Sequence, residues 1–201
     1  IGRPGGGINA LRGHANVQGD TDHAIVAGML PGYLHAPEPT QESLADHLRD
    51  STPRPLVRNA VNYWTNYPKF LISQLKAWFG DHAQSDNEFG YHYLGKMSDD
   101  ATWLSIWDQA RQGKLEGFVT LGFNPLLAGP DVPRLIQAMS KLKWKVVIDP
   151  FMLDTAEFWK APGMKPEDID TEVLYLPTTH WIERDGSFTN SGRWAQWKQK
   201  A

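Results

Sequence analysis

One succession of residues in the C-terminal half restricts the fold more than any other feature of the sequence. Residues 117–121 (GFVTL) and 144–148 (WKVVI) are apolar runs of strand length, and residues 132–142 between them have helical spacing. Two strands joined through a helix at this length form a βαβ unit, in which the strands are parallel and the crossover is right-handed. Residues 172–176 (EVLYL) predict a third strand. The sequence therefore predicts an α/β fold, a Rossmann-like three-layer domain with a mainly parallel sheet.

The N-terminal half carries weaker signals, most of them helical. Residues 68–79 repeat apolar side chains at helical spacing, and their aromatic residues are predicted to pack in a core. Shorter helices are predicted after Thr40 and over residues 101–112. Residues 81–96 are polar and interrupted by glycine, which predicts a surface loop.

The chain opens with a stretch rich in glycine and proline. Five of the six residues 2–7 are Gly or Pro, and Arg12 and His14 follow among small residues. Glycine lets a ligand approach the main chain closely, arginine offers a planar fork for a carboxylate or phosphate, and histidine can move a proton near neutral pH. The combination predicts anion binding. The alternative is an ordinary glycine-rich turn with a surface arginine.

Polar residues follow the predicted strands. Asn124 lies in the loop after the first strand, and Asp149 comes directly after the second. Ligands of open parallel sheets bind beyond the carboxyl ends of the strands, where the Asn124 side chain could donate and accept and Asp149 could accept from a ribose hydroxyl or a guanine N–H edge. Two alternatives stay open: Asn124 is a turn residue before Pro125, or Asp149 caps a helix or turn.

Composition excludes several classes of protein and site. With 20 basic and 23 acidic residues the net charge is −3, which lacks the basic excess of a general nucleic-acid binder. No apolar run approaches the length of a transmembrane helix. The seven histidines have neither HxxxH nor HExxH spacing, so no metal ligand is predicted. Cysteine is absent, which excludes disulfides, an iron–sulfur cluster and a thiolate metal ligand within these residues.

These stretches also carry a resemblance to a known family. RPGGGINALRGHANVQG (3–19) resembles the segment of molybdopterin-dependent formate dehydrogenases that passes the metal centre. The likeness continues through VNYWTNYPKF (61–70), GFNP (122–125), VVIDP (146–150) and EVLYLPTTHWIERDGSFTNSGRWAQW (172–197). It is greatest to the large catalytic subunit of the respiratory, membrane-associated type. The resemblance implies that this chain is an interior portion of such a subunit.

The resemblance implies a division of the chain and a cofactor. Residues 1–39 would form a Gly/Pro-rich active-site segment, and residues 40–201 would form part of an α/β domain that binds molybdopterin guanine dinucleotide. The cofactor would be a bis(molybdopterin guanine dinucleotide) with molybdenum or tungsten, shared with parts of the subunit outside this sequence, which would also hold an iron–sulfur cluster. The residues implied to contact the cofactor are Gly13, Gly122, Asn124, Ile148, Asp149, Thr155 and Arg184.

The resemblance also assigns catalytic roles and partners. Arg12 would grip the formate carboxylate and orient its C–H bond, with binding of a pterin phosphate or a structural carboxylate as the alternative. His14 would line the same pocket or hydrogen-bond a pterin. The implied partners are formate, the remainder of the catalytic subunit and an iron–sulfur electron-transfer subunit. The implied location is the periplasm, with the cytoplasm as the alternative.

Three functions are therefore compared. The first is a segment of a formate dehydrogenase catalytic subunit, which oxidises formate to carbon dioxide. The second is a sibling molybdopterin oxidoreductase such as a nitrate reductase; between the two, LRGH (11–14) favours formate, because a nearby fixed cation suits a small carboxylate. The third is a catalytically inert cofactor-binding or structural module. Since no Cys is present to ligate the metal, the 201 residues alone are not expected to turn over formate.

Overall fold

The computed structural model describes residues 2–26, 28–58, 62–97 and 100–201. The chain forms two compact units: the helical unit, residues 11–99, and the sheet unit, residues 1–10 with 100–201. The predicted division into an active-site segment (1–39) and a cofactor domain (40–201) is a division by function. The two compact units do not test it, so it stays a prediction.

The helical unit begins with small elements and continues with longer helices. In chain order it contains α1 (Val17–Asp22), the antiparallel pair β1 (Met29–Leu30) and β2 (Leu34–His35), α2 (Leu44–Ser51), a 3-10 turn (Tyr63–Asn66), α3 (Tyr67–Phe79) and two further 3-10 segments (Gly80–His82 and Ser85–Tyr93).

Local chemistry explains where the helix α2 begins and where α3 ends. The Ser43 hydroxyl accepts a hydrogen bond from the Asp46 N–H at 3.1 Å, and the Asp46 carboxylate accepts one from the Ser43 N–H at 3.3 Å, which is a capping box. Helix α3 ends at Gly80, whose φ of 53° interrupts the helix. Leu71 is buried in the core of this unit, so the predicted helix and its buried face are confirmed. Trp78 is about half exposed, and its predicted core position is wrong.

The prediction of a surface loop over residues 81–96 is wrong at Tyr91. This side chain is fully buried, and its hydroxyl donates to the Gln41 carbonyl at 3.0 Å. Three successive residues, Glu88, Phe89 and Gly90, have positive φ angles just before it. Because such a reversal leaves no periodic pattern in the sequence, the polar composition of the segment hid its buried aromatic residue.

A buried polar network joins α2 to α3. The His47 side chain is fully buried; its Nδ1 lies 2.8 Å from Gln41 Oε1, and its Nε2 lies 2.5 Å from the Tyr67 hydroxyl. Since the amide nitrogen of Gln41 faces Asp50, its oxygen faces the ring, which makes Nδ1 the protonated nitrogen and Nε2 the acceptor for Tyr67. Every polar atom of the ring is thus satisfied in the neutral form.

We expect this network to make the helical unit sensitive to mild acid. Burial lowers the pKa of His47, and His35 acts in the same direction, whereas Asp50 and Glu38 oppose the shift. Below pH 6.5 the unfolded chain therefore takes up the proton more readily than the folded one, and stability is lost as the pH falls, by up to about 1.4 kcal/mol per pH unit. Urea unfolding between pH 5 and 7 measures this slope.

The matched variants for that measurement are His47→Gln and His82→Gln. His82 is exposed, and its replacement should leave the slope unchanged. His47→Gln should flatten the slope, and an unaltered slope would show that another group titrates.

The sheet unit contains most of the regular structure predicted from the sequence. In chain order it comprises α4 (Trp103–Arg111), β3 (Gly117–Leu121), α5 (Pro125–Ala128), α6 (Val132–Met139), β4 (Trp144–Asp149), β5 (Glu172–Pro177), and the antiparallel hairpin β6 (Gly186–Thr189) and β7 (Ala195–Lys198). Short 3-10 turns lie between β4 and β5.

The strands β3, β4 and β5 form one parallel sheet, in that order. Gly117 pairs with Trp144, and Trp144 pairs with Glu172. The predicted α/β fold with a mainly parallel sheet is confirmed. The same arrangement brings the carboxyl ends of all three strands to one edge of the sheet.

Helices α4 and α6 cover one face of this sheet. Trp107 of α4 and Met139 of α6 are buried in a common cluster, against which Phe118 and Val173 of the sheet pack. On the opposite face, apolar side chains of the three strands remain largely exposed: Val119, Leu121, Trp144, Leu174 and Leu176. The third layer of the predicted fold is not seen within the described residues and stays a prediction.

Candidate functional site

The loop after β3 contains two features suited to a bound nucleotide. Gly122 has a φ of 59°, its N–H donates to the Ile148 carbonyl at 2.8 Å, and the position of a Cβ on this residue would be open. Asn124 is the N-cap residue of α5, but its side chain does not bond the helix; its Nδ2 instead donates to Asp154 at 3.4 Å. Its Oδ1 is buried and accepts no hydrogen bond within the described part of the chain.

The buried Oδ1 of Asn124 can accept a hydrogen bond from a ligand. Rotating the amide to exchange its two ends would place oxygen against the Asp154 carboxylate, so the assignment of Oδ1 is fixed by its neighbour. A buried acceptor without a partner costs about 1–3 kcal/mol. The N–H and O–H groups of a pterin, a ribose or a guanine are suitable donors, and the residues present at this edge therefore fit the implied cofactor.

Asp149 is the last residue of β4 and is buried. Its Oδ1 accepts a hydrogen bond from the Phe151 N–H at 3.0 Å, and its backbone carbonyl accepts one from the Tyr175 hydroxyl at 2.9 Å. The turn-capping role that the sequence left as an alternative is thus present. A carboxylate has two oxygens, so this cap is compatible with a nucleotide contact, which stays a prediction.

Thr155 and Ile148 take supporting positions. Thr155 lies fully buried in a 3-10 turn (Asp154–Ala156), and its hydroxyl accepts a hydrogen bond from Lys145 Nζ at 2.6 Å. Ile148 lies on the opposite face of β4 from Asp149, half-buried. Thr155 is therefore held by a lysine of the sheet, a contact that was not predicted from the sequence.

Arg184 lies in the segment between β5 and β6. It is exposed, and its carbonyl accepts a hydrogen bond from the Lys198 ammonium of β7. This contact orders the backbone at Arg184 and leaves the guanidinium at the surface. A role in binding the cofactor stays a prediction.

A cavity opens beside the loop residues at the carboxyl edge. Its volume is about 370 Å³, and its walls include Leu126, Ile136 and Phe158, with Asp154 and Lys160 among the polar lining residues. Asp154 therefore contacts both the cavity and Asn124. Asp154 was not among the predicted site residues, since a lone acidic residue in a loop carries no specific signal.

Arg12, Gly13 and His14 belong to the helical unit, whereas the other predicted site residues belong to the sheet unit. All three are exposed and lie just before α1, whose N-cap residue Asn16 has a φ of 64°. A Cβ on Gly13 would meet open space. A guanidinium can bind a small anion, and the substrate role of Arg12 stays a prediction.

Two further findings concern metals and membranes. Within the described ranges, no group of three His, Cys, Asp or Glu side chains is arranged to hold a metal ion. No helix in that same part of the chain combines the length and the apolar character needed to cross a bilayer.

Comparison with known proteins gives relatives along the whole chain. It is 43% identical to the major subunit of the nitrate-inducible formate dehydrogenase of Escherichia coli, over 100% of this chain and 20% of that subunit. It is 43% identical to the alpha subunit of formate dehydrogenase 2 (cytochrome c-553) of Nitratidesulfovibrio vulgaris, again over 100% and 20%. The identity is 39% to the formate dehydrogenase alpha subunit of Megalodesulfovibrio gigas, over 98% and 20%.

The chain spans about a fifth of the length of these relatives. No family model matches it.

Proposed function

Because this chain is homologous over its whole length to formate dehydrogenase major and alpha subunits, we propose that it forms part of the catalytic subunit of a formate dehydrogenase. The reaction is the oxidation of formate to carbon dioxide. A bis(molybdopterin guanine dinucleotide) with molybdenum or tungsten, when bound, accepts the two electrons of the reaction. The observation that carries the proposal is the identity of 43% along the full chain.

The sheet unit supplies part of the cradle for one guanine dinucleotide. Asn124 offers its orphaned oxygen to a donor of the nucleotide, and Gly122 leaves room for the nucleotide to approach the main chain. Asp149, fixed by its bond to Phe151, accepts from the guanosine end. Ile148 and Arg184 are further proposed contacts, and Thr155, whose side chain is buried, supports the turn beside them.

Arg12 binds the substrate, and His14 lines the same pocket or bonds a pterin, with Gly13 leaving space between them. Formate has one carboxylate and one hydrogen, so a bidentate grip fixes both its position and the direction of its C–H bond. The ligand of the metal comes from other residues of the subunit, since this chain contains no cysteine.

The proposed partners are the rest of the catalytic subunit, which carries an iron–sulfur cluster, and an iron–sulfur electron-transfer subunit. The proposed location is the periplasm. The rival proposal is a module that binds the cofactor without catalysis, and the absence of a thiolate ligand favours it for these 201 residues on their own.

Asp149→Ala in the assembled enzyme is expected to reduce cofactor retention more than turnover per bound cofactor. A contact with guanine or ribose is equally strong in the ground state and the transition state, so its loss weakens binding without slowing the chemical step. The loss of a charge-assisted hydrogen bond costs about 1.5–3 kcal/mol. Pterin content and specific activity are measured on the same preparation.

Asp149→Asn separates the two roles of this side chain. It keeps an oxygen that can accept from Phe151 and removes the charge. If only the alanine variant loses cofactor, the residue acts as a turn cap. Normal pterin content with lowered activity per cofactor would contradict the proposed contact.

A further inference from the structure

Lys145 is a fully buried lysine in the middle strand of the sheet. Its Nζ donates to Thr155 Oγ1 at 2.6 Å and to Met139 Sδ at 3.1 Å, and it lies 5.8 Å from the centre of the Phe158 ring. The amine therefore joins β4 to α6 and to the loop that follows β4. Nothing in the reaction proposed above uses it.

No carboxylate compensates this amine within the described residues. Its partners in register on β3 and β5 are Phe118 and Val173. The two acidic residues closest to Thr155 in the sequence are engaged elsewhere, Asp154 with Asn124 and Glu157 with Lys160. On its own strand Asp149 shares its face, four residues away, or roughly 13 Å at the rise of a strand.

Burial in these surroundings lowers the pKa of Lys145 to about 7. The neutral amine is then a substantial form near neutral pH, and it can still donate to the sulfur and bond the Thr155 hydroxyl. A buried lysine that keeps such contacts without an ion pair is unusual, because an apolar residue of similar size fills the same space at lower cost. The contacts of the Lys145 amine therefore indicate its role in the structure.

The amine of Lys145 holds the loop after β4, which lies at the edge of the sheet where the nucleotide is proposed to bind. Thr155 is the central residue of the turn Asp154–Ala156, in which the Ala156 N–H donates to the Leu153 carbonyl at 2.7 Å and the Glu157 N–H to the Asp154 carbonyl at 3.1 Å. Asp154 in turn holds Asn124. The hydrogen bond from Lys145 to Thr155, which we call the tether, therefore acts directly on the loop after β4. Through Asp154 and Asn124 it also acts on the loop after β3.

We propose that Lys145 is a positioning residue, which orders the loop of residues 150–160 by holding the Thr155 hydroxyl. That this loop contacts a nucleotide rests on the proposed function; the tether itself does not. The test therefore uses the full 201-residue chain without cofactor, so that its result is independent of whether a pterin binds.

Amide hydrogen exchange is measured in Lys145→Met, Thr155→Val and Thr155→Ser. The first two variants remove one end of the tether and should speed exchange at Ala156 and Glu157 at least tenfold relative to the amides of β4. Thr155→Ser keeps the hydroxyl and should retain protection. Lys143→Met is the matched control, because Lys143 is exposed and pairs with Glu116 just before the same strand.

A pH series distinguishes the amine from a simple packing residue. As the pH rises from 6 to 9, the folded amine loses its proton before the unfolded one, so the urea midpoint of the wild type should rise relative to that of Lys145→Met. The difference between wild type and Lys143→Met should stay constant.

The proposal is overturned if Thr155→Val, which retains the lysine and nearly the same volume, leaves the loop amides as protected as in the wild type. It is also overturned if Thr155→Ser exposes them as much as Thr155→Val does. Should Lys145→Met fail to fold, these two threonine variants still decide the matter.

Discussion

In the proposed formate dehydrogenase, Arg12→Lys is expected to keep the metal and both pterins bound and to lose formate turnover by at least about two orders of magnitude. A lysine retains the charge but offers a single point of contact, whereas the planar guanidinium can hold both carboxylate oxygens at once. The carboxylate could then rotate, and the C–H bond would no longer point at the reacting centre. A hundredfold loss corresponds to about 2.7 kcal/mol of transition-state stabilisation.

The measurement is formate kinetics together with metal and pterin content on one preparation. Arg3→Lys is the matched control, because Arg3 lies in the same glycine-rich stretch, is exposed and has no proposed contact with formate. Near-normal kinetics for Arg12→Lys would end the substrate role. Loss of cofactor with unchanged activity per remaining pterin would instead assign Arg12 to a pterin phosphate.

Trp107→Ala is expected to destabilise the sheet unit by about 3–5 kcal/mol. The Trp107 ring is buried between α4 and the sheet, with its centre 5.5 Å from that of Trp103 in an edge contact and 4.8 Å from that of Phe118. Truncation removes these contacts and leaves a cavity that the surrounding sheet and helices fill only in part. Urea unfolding of the chain reports the loss.

Trp107→Phe should cost far less. The indole Nε1 of Trp107 is buried and makes no hydrogen bond within the described residues. Phenylalanine keeps a ring in the site and removes that unsatisfied donor, which offsets part of the lost packing. Trp194→Ala is the control at an exposed tryptophan, expected within about 0.5 kcal/mol of wild type. A Trp107→Ala cost below 1 kcal/mol would contradict this account of the core.

The sheet could be predicted because its strands are short apolar runs bounded by turn residues, and because a helix fills the first connection. The hairpin β6–β7 and the buried Tyr91 could not, since polar residues dominate both stretches. In each case pairing or packing with distant residues outweighs local composition. The periodic pattern therefore predicted the sheet, whereas the resemblance along the whole chain predicted the cofactor and the substrate.

Part of the candidate site could likewise be predicted from the sequence. Asn124 lies in the loop after β3 and Asp149 ends β4, and their positions at the sheet edge come from the parallel order alone. Lys145 was overlooked because a lysine within an apolar run is usually assigned to the solvent side. Yet Lys145, Val147 and Asp149 alternate along β4, and that period of two places all three on the face covered by helices.

The parallel register of the sheet also bears on how this unit folds. Because Gly117 pairs with Trp144 and Trp144 with Glu172, the two crossovers close loops of almost equal length, and closure entropy favours neither. The first crossover contains α6, which can form locally, whereas the second contains only short 3-10 turns. We therefore expect β3 and β4 to associate first during refolding and β5 to add to their edge. Pulse-labelled hydrogen exchange would detect protection of the β4 amides facing β3 before that of the β5 amides.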